Sequence, residues 1–196
     1  METSRLEAFS DGVLAIIITI MVLELHVPDG PRLADLADSA TGFLTYVLSF
    51  VYIGIYWNNH HHMFQLCEKI TGPVLWANLH LLFWLSLYPF TTAWMDESDL
   101  APTPTLVYGV NLLAAAIAYT ILQQLIIRGP GGAGLREAMG ADVKGKLSPL
   151  LYVAGILLVF VSPVLGLLPF VAVAVMWMVP DRRIEAYLAE HEAQRS

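Results

Sequence analysis

Apolar residues run along this chain in blocks of membrane-spanning length, separated by short polar breaks. Four blocks fall at about 5–26, 40–64, 73–95 and 105–127. At about 1.5 Å per residue, each covers a hydrocarbon core of about 30 Å. The first ends at Pro28-Asp29-Gly30 and the fourth at Arg128-Gly129-Pro130-Gly131-Gly132, while the acidic break at 96–104 holds Pro102 and Pro104. The stretch 147–179 would form a helix of about 50 Å, too long for one crossing. Ser162-Pro163, Gly166 and Pro169 interrupt its middle, which predicts two short spans at 147–162 and 164–179. The expected fold is all-α, one polytopic domain over 1–196 with six transmembrane helices. In the tail, 181–196, Ile184, Tyr187, Leu188 and His191 recur at helical spacing, as in a short cytoplasmic helix.

The placement of charge orients these spans. The Lys and Arg residues fall at Arg5, Lys69, Arg128, Arg136, Lys144, Lys146, Arg182, Arg183 and Arg195, with Arg32 the exception. The first and third breaks instead carry Asp29, Asp35, Asp38, Asp96, Glu97 and Asp99. Such alternation is what the positive-inside rule requires of an even number of spans with both termini cytoplasmic. A multi-pass protein of the cell (plasma) membrane is therefore expected.

Composition adds to this picture. Apolar residues make up 57% and charged residues 14%, against about 25% charged in soluble proteins. Mean hydropathy is +0.62. The basic residues lie in short loops, which argues against a nucleic-acid footprint despite their clustering. Cys67 is the single cysteine, excluding an internal disulfide and a thiol metal cluster. The first apolar stretch contains Asp11 and no cleavage site follows it, so no secretory signal is expected.

The first span is too polar for lipid on all sides. It carries Arg5, Glu7, Ser10, Asp11, Gly12, Thr19 and Glu24, and its apolar run from Val13 to Leu23 is short. A carboxylate at mid-membrane costs about 2.5–3.5 kcal/mol on insertion scales. Protein and water are therefore its expected surroundings. Ile16, Ile20 and Leu23 share one stripe with Thr19 beside it, and Asp11 lies about 140° around the helix from Ile16. Ordinary helix packing also produces such a stripe.

Span 2 ends in Trp57-Asn58-Asn59-His60-His61-His62-Met63-Phe64, at the membrane level of Asp11. Successive histidines on a helix point about 100° apart and cannot converge on one ion, so no metal site is expected. A hydrogen-bond network with Ser10 and Asp11 fits better. Asn78 and His80 of span 3 either join it or are satisfied core groups. Ser10 and Asp11 diverge, and no Gly-x-Ser-x-Gly elbow accompanies them, so an enzyme is not expected.

With these residues in hand, the chain resembles the transmembrane protein 175 family of potassium channels, in its single-repeat prokaryotic form. The resemblance rests on Arg5-x-x-x-Phe9-Ser10-Asp11-Gly12-Val13-x-Ala15-Ile16, on Thr19-x-x-Val22-Leu23-Glu24, and on Trp57-x-x-His60-His61-x-x-Phe64. Span 3 adds Asn78-Leu79, Leu82-Phe83 and Leu87-x-Pro89-Phe90. Spans 1 to 3 carry these motifs, and spans 4 to 6 agree only in number and hydropathy.

The resemblance implies a channel without a carbonyl filter, and the chain has no Thr-Val-Gly-Tyr-Gly segment. It implies a homotetramer whose first helices line the pore. Ile16, Ile20 and Leu23 would form the apolar constriction, with Thr19 a pore-facing hydroxyl. Arg5, Ser10, Asp11, Trp57, His60 and His61 would form a cytoplasmic-side network. The implied partners are potassium ions and the lipid bilayer, with no cofactor. A secondary transporter is the alternative, but the Pro-broken pair at 147–179 has no counterpart earlier in the chain.

Overall fold

The computed structural model describes residues 3–130, 132–139 and 142–179, and every regular element among them is a helix. The chain order is α1 (Thr3–Leu23), α2 (Leu33–Asp38), α3 (Ala40–Gln65), α4 (Gly72–Ser86), α5 (Tyr88–Glu97), α6 (Pro102–Arg128), α7 (Ala133–Met139), α8 (Val143–Val159) and α9 (Pro163–Met178). Helices α1, α3 and α6 are each long and apolar enough to cross a membrane, and α9 is a shorter apolar helix. The tail over 181–196, with Ile184, Tyr187, Leu188 and His191, lies outside the described residues.

The single span expected over 73–95 is instead two helices. Pro89 has no N–H to offer the Leu85 carbonyl, so α4 closes at Leu87 and α5 restarts with Pro89 in its first turn. The stretch 147–179 also divides, into α8 and α9. Only Ser162-Pro163 breaks it; Gly166 and Pro169 lie inside α9. Glycines let α8 and α9 approach closely. A Cβ on Gly155 would lie 2.3 Å from Phe170 Cε1, and one on Gly166 would lie 2.4 Å from Val159 Cγ2.

Two short helices occupy stretches read as loops. At the start of α2, the Asp35 side chain reaches back to the N-cap residue, its Oδ2 accepting the Arg32 N–H at 2.9 Å. The Arg32 side chain, and then its backbone N–H, hold the Asp35 carboxyl below the usual carboxylate range. Arg136 of α7 donates to the Ile127 carbonyl at 2.6 Å, satisfying an orphan group at the end of α6.

Helix α6 is the central post, packed against α4, α5, α8 and α9. Tyr108, Leu112, Ala115, Ala118 and Leu122 are wholly buried along it. Around it, Tyr52, Tyr88, Tyr108 and Phe170 form one ring cluster with centroids 6.2–6.3 Å apart. The Tyr52 hydroxyl donates to the Phe170 carbonyl at 2.6 Å, and Ser49 bridges Thr92 (2.7 Å) and Tyr108 (3.1 Å). This core leaves α1 to the side, against α3, α4 and α5.

Candidate functional site

Helix α1 has two unlike faces. Leu6, Ser10, Leu14, Ile17 and Met21 are buried, and their steps of three and four residues make one continuous stripe against the bundle. Ile16 (59%), Ile20 (41%) and Leu23 (80%) are exposed on the protomer. Thr19 is exposed beside them, and its hydroxyl donates to the Ile16 carbonyl at 2.8 Å. A side chain bonded this way spends its proton on its own helix and leaves its oxygen lone pairs outward.

Ser10 and Asp11 diverge, as adjacent helical residues must. Ser10 is fully buried. Its hydroxyl donates to the Leu6 carbonyl at 2.9 Å and accepts from Asn78 Nδ2 at 3.0 Å. Asn78 Oδ1 lies 2.8 Å from His60 Nε2. Because that oxygen can only accept, the His60 ring presents its Nε2 proton. The result is a one-directional chain from α3 through α4 to α1, with each proton committed to the next group.

Asp11 stays on the exposed side, where Trp57 Nε1 donates to its Oδ1 at 3.1 Å. Trp57 is half-exposed. The two halves of the expected network are thus parallel links rather than one cluster: a buried Ser10–Asn78–His60 chain and a surface Asp11–Trp57 bond. Both tie α1 to α3, the first through α4.

The other expected members sit apart from this pair of links. His61 Nδ1 stands 3.7 Å from Glu7 Oε1, and its Nε2 lies 2.8 Å from Gln65 Nε2. Arg5 is exposed, without a hydrogen bond or ion pair among the described residues. His80 accepts from Trp84 Nε1 at 2.9 Å on its own helix, which leaves Asn78 as the span-3 member. Glu7 was missed by sequence reasoning. Its spacing of four residues before Asp11 was the available signal.

No group of three or more His, Cys, Asp and Glu side chains converges among the described residues. The three successive histidines point to three different neighbours or to the surface, as their rotation about the helix requires.

Comparison with known proteins follows the same residues. The family model described as "Endosomal/lysosomal potassium channel TMEM175" matches residues 5–89, which hold α1 from Arg5 onward, α2, α3, α4 and both links. A protein of Chryseobacterium sp. (strain P1-3) named potassium channel is 52% identical over 192 residues, 97% of this chain and 100% of that one. A protein of Streptomyces collinus (strain DSM 40733 / Tue 365), also named potassium channel, is 35% identical over 129 residues, 62% of this chain and 63% of that one. The crystal structure of a lysosomal potassium-selective channel TMEM175 homolog from Chamaesiphon minutus superposes with a TM-score of 0.78 at 31% identity. That alignment covers 92% of this chain and 98% of that one. The chain belongs to the TMEM175 family.

Proposed function

We propose that this chain forms a potassium-selective cation channel in which the first helices of four copies line a shared pore. Each copy spans the plasma membrane six times with both termini in the cytoplasm, α4 and α5 together making the third span. The protein conducts ions and catalyses no reaction, and potassium is its permeant ion rather than a cofactor.

The observation that carries this reading is the outward stripe of Ile16, Ile20 and Leu23, on a helix whose other face is fixed to the bundle. Branched side chains brought together around an axis make a narrow apolar neck. Such a neck empties of water when tight and conducts when slightly widened. Potassium sheds hydration water more readily than sodium, so the neck favours it without a binding cage. Thr19 adds a ring of outward lone pairs beside the neck. The names of the Chryseobacterium and Streptomyces relatives support the ion assigned here.

The two links from α1 to α3 hold the neck at its resting width. Moving α1 outward breaks the Asp11–Trp57 bond or displaces the buried chain through Asn78, so neck width is coupled to the bundle behind it. Arg5 and His61 extend the polar end of this assembly toward the cytoplasm. Glu24, Glu97 and Asp99 at the opposite end concentrate cations at the outer mouth.

Flux through reconstituted protein tests this. Ile20→Asn wets the neck and raises cation flux, while Leu23→Ala widens it and lowers the preference for potassium over sodium. Unchanged flux and unchanged preference in both variants reject the neck.

A further inference from the structure

Behind α3, on the side away from α1, the bundle encloses a second site. We propose that the cavity between α3, α6, α8 and α9 binds a small organic monocation, a protonated primary amine of about four heavy atoms.

The cavity has a volume of about 50 Å³. At roughly 10–15 Å³ for each water-sized group, it accommodates about four such groups. Two polar side chains in its wall are nine-tenths buried and lack partners. Tyr56 and Gln123 are each 7% exposed, and neither makes a hydrogen bond among the described residues. Buried hydroxyls and amides normally find partners, so both are groups built to meet an occupant.

The charge of that occupant follows from the rim. Among the described residues, Asp142 is the single charged one lining the cavity, and it enters no ion pair there. Its Oδ1 accepts the Gly145 N–H at 2.8 Å as the N-cap of α8. The same wall holds the rings of Tyr119 and Trp177, and aromatic faces attract cations. Trp177 already draws one ammonium of this chain: Lys144 Nζ stands 5.8 Å from its ring centroid while donating to the Val179 carbonyl at 2.7 Å. Lys144 is not in the cavity wall.

An anion would meet the Asp142 carboxylate and, among the described residues, no lining cation. A bare metal ion would need about six oxygen ligands, whereas the Tyr52, Tyr119 and Thr120 hydroxyls of the wall are already turned to backbone carbonyls. An alkylammonium matches both halves, with its N–H donors toward Asp142, Tyr56 and Gln123 and its carbons against the rings.

The test is calorimetric titration of the purified full chain in detergent at neutral pH with propylammonium. Its neutral isostere, 1-propanol, is the control. The expected result is one saturable site per chain for propylammonium and none for 1-propanol. Asp142→Asn keeps an equally good helix cap, so it should melt like the parent yet bind at least fivefold more weakly. Tyr56→Phe should weaken binding severalfold. Absence of saturable binding, equal binding of 1-propanol, or undiminished affinity in Asp142→Asn overturns the proposal. Because binding is read rather than flux, the outcome is independent of the channel reading.

Discussion

Asn78 donates to Ser10 at 3.0 Å while its carbonyl oxygen lies 2.8 Å from His60 Nε2, so one amide joins α4 to both α1 and α3. All three side chains are almost fully buried. In such a setting each group satisfies its neighbour, and removing the middle one strands two. Asn78→Ala should therefore destabilise the purified protein by about 1–3 kcal/mol, the usual cost of an unsatisfied buried group. Thermal unfolding in detergent checks this. Melting indistinguishable from the parent would show that water or a neighbour replaces the amide.

Asp11 and Trp57 make the complementary, exposed link, and exposed bonds add little to the stability of a single chain. Asp11→Ala should leave protomer melting within about 1 kcal/mol of the parent. Its effect should appear in assembly: a smaller oligomer by light scattering, with an unchanged potassium-to-sodium ratio in whatever flux remains. Normal assembly with lost selectivity would instead move Asp11 into the selectivity neck.

Where α8 meets α9, Gly155 faces Phe170 and the Gly166 carbonyl oxygen too closely for any side chain. Gly155→Val must push the two helices apart or drive Phe170 from the aromatic cluster. A loss of about 1–3 kcal/mol is expected from overpacking of this kind. Melting temperature and expression level report it, and a fully stable variant would contradict the close approach.

Cys67 lies between α3 and α4, buried, with its thiol directed at the Lys69 carbonyl. Burial pushes that thiol up from its ordinary range. A raised thiol pKa means less thiolate near neutral pH, so alkylation should be slow in the native protein and accelerate as pH rises. Denaturation should make it fast at once. Rapid native labelling at pH 7 would place the sulfur in water.

The long apolar blocks made most of the helices readable from the residues, because block length and Pro-Gly breaks act locally. The division of α4 from α5 was carried by Pro89, whose effect was hidden by apolar neighbours on both sides. Gly166 and Pro169 misled in the other direction. A glycine admits a close neighbour as readily as it ends a helix, and Pro169 is tolerated inside α9.

At the site, the residue types were legible and their pairing was not. Ser10, Asp11, Trp57 and His60 form links, but the choice of Asn78 over His80 depends on which face α4 turns to α1. That rotation is set by tertiary packing rather than by spacing. Tyr56, Gln123 and Asp142 come from three separate segments, and nothing local relates them.

In the proposed channel, the exposed stripe of α1 faces water inside an assembly rather than lipid outside one. Cysteine accessibility at position 20 tests it most directly, using Ile20→Cys in a Cys67→Ala background reconstituted in a bilayer. A charged, membrane-impermeant thiosulfonate should modify the new thiol and block potassium current. A thiol that resists this reagent, reacts with a lipid-soluble maleimide and leaves the current unchanged would contradict the account.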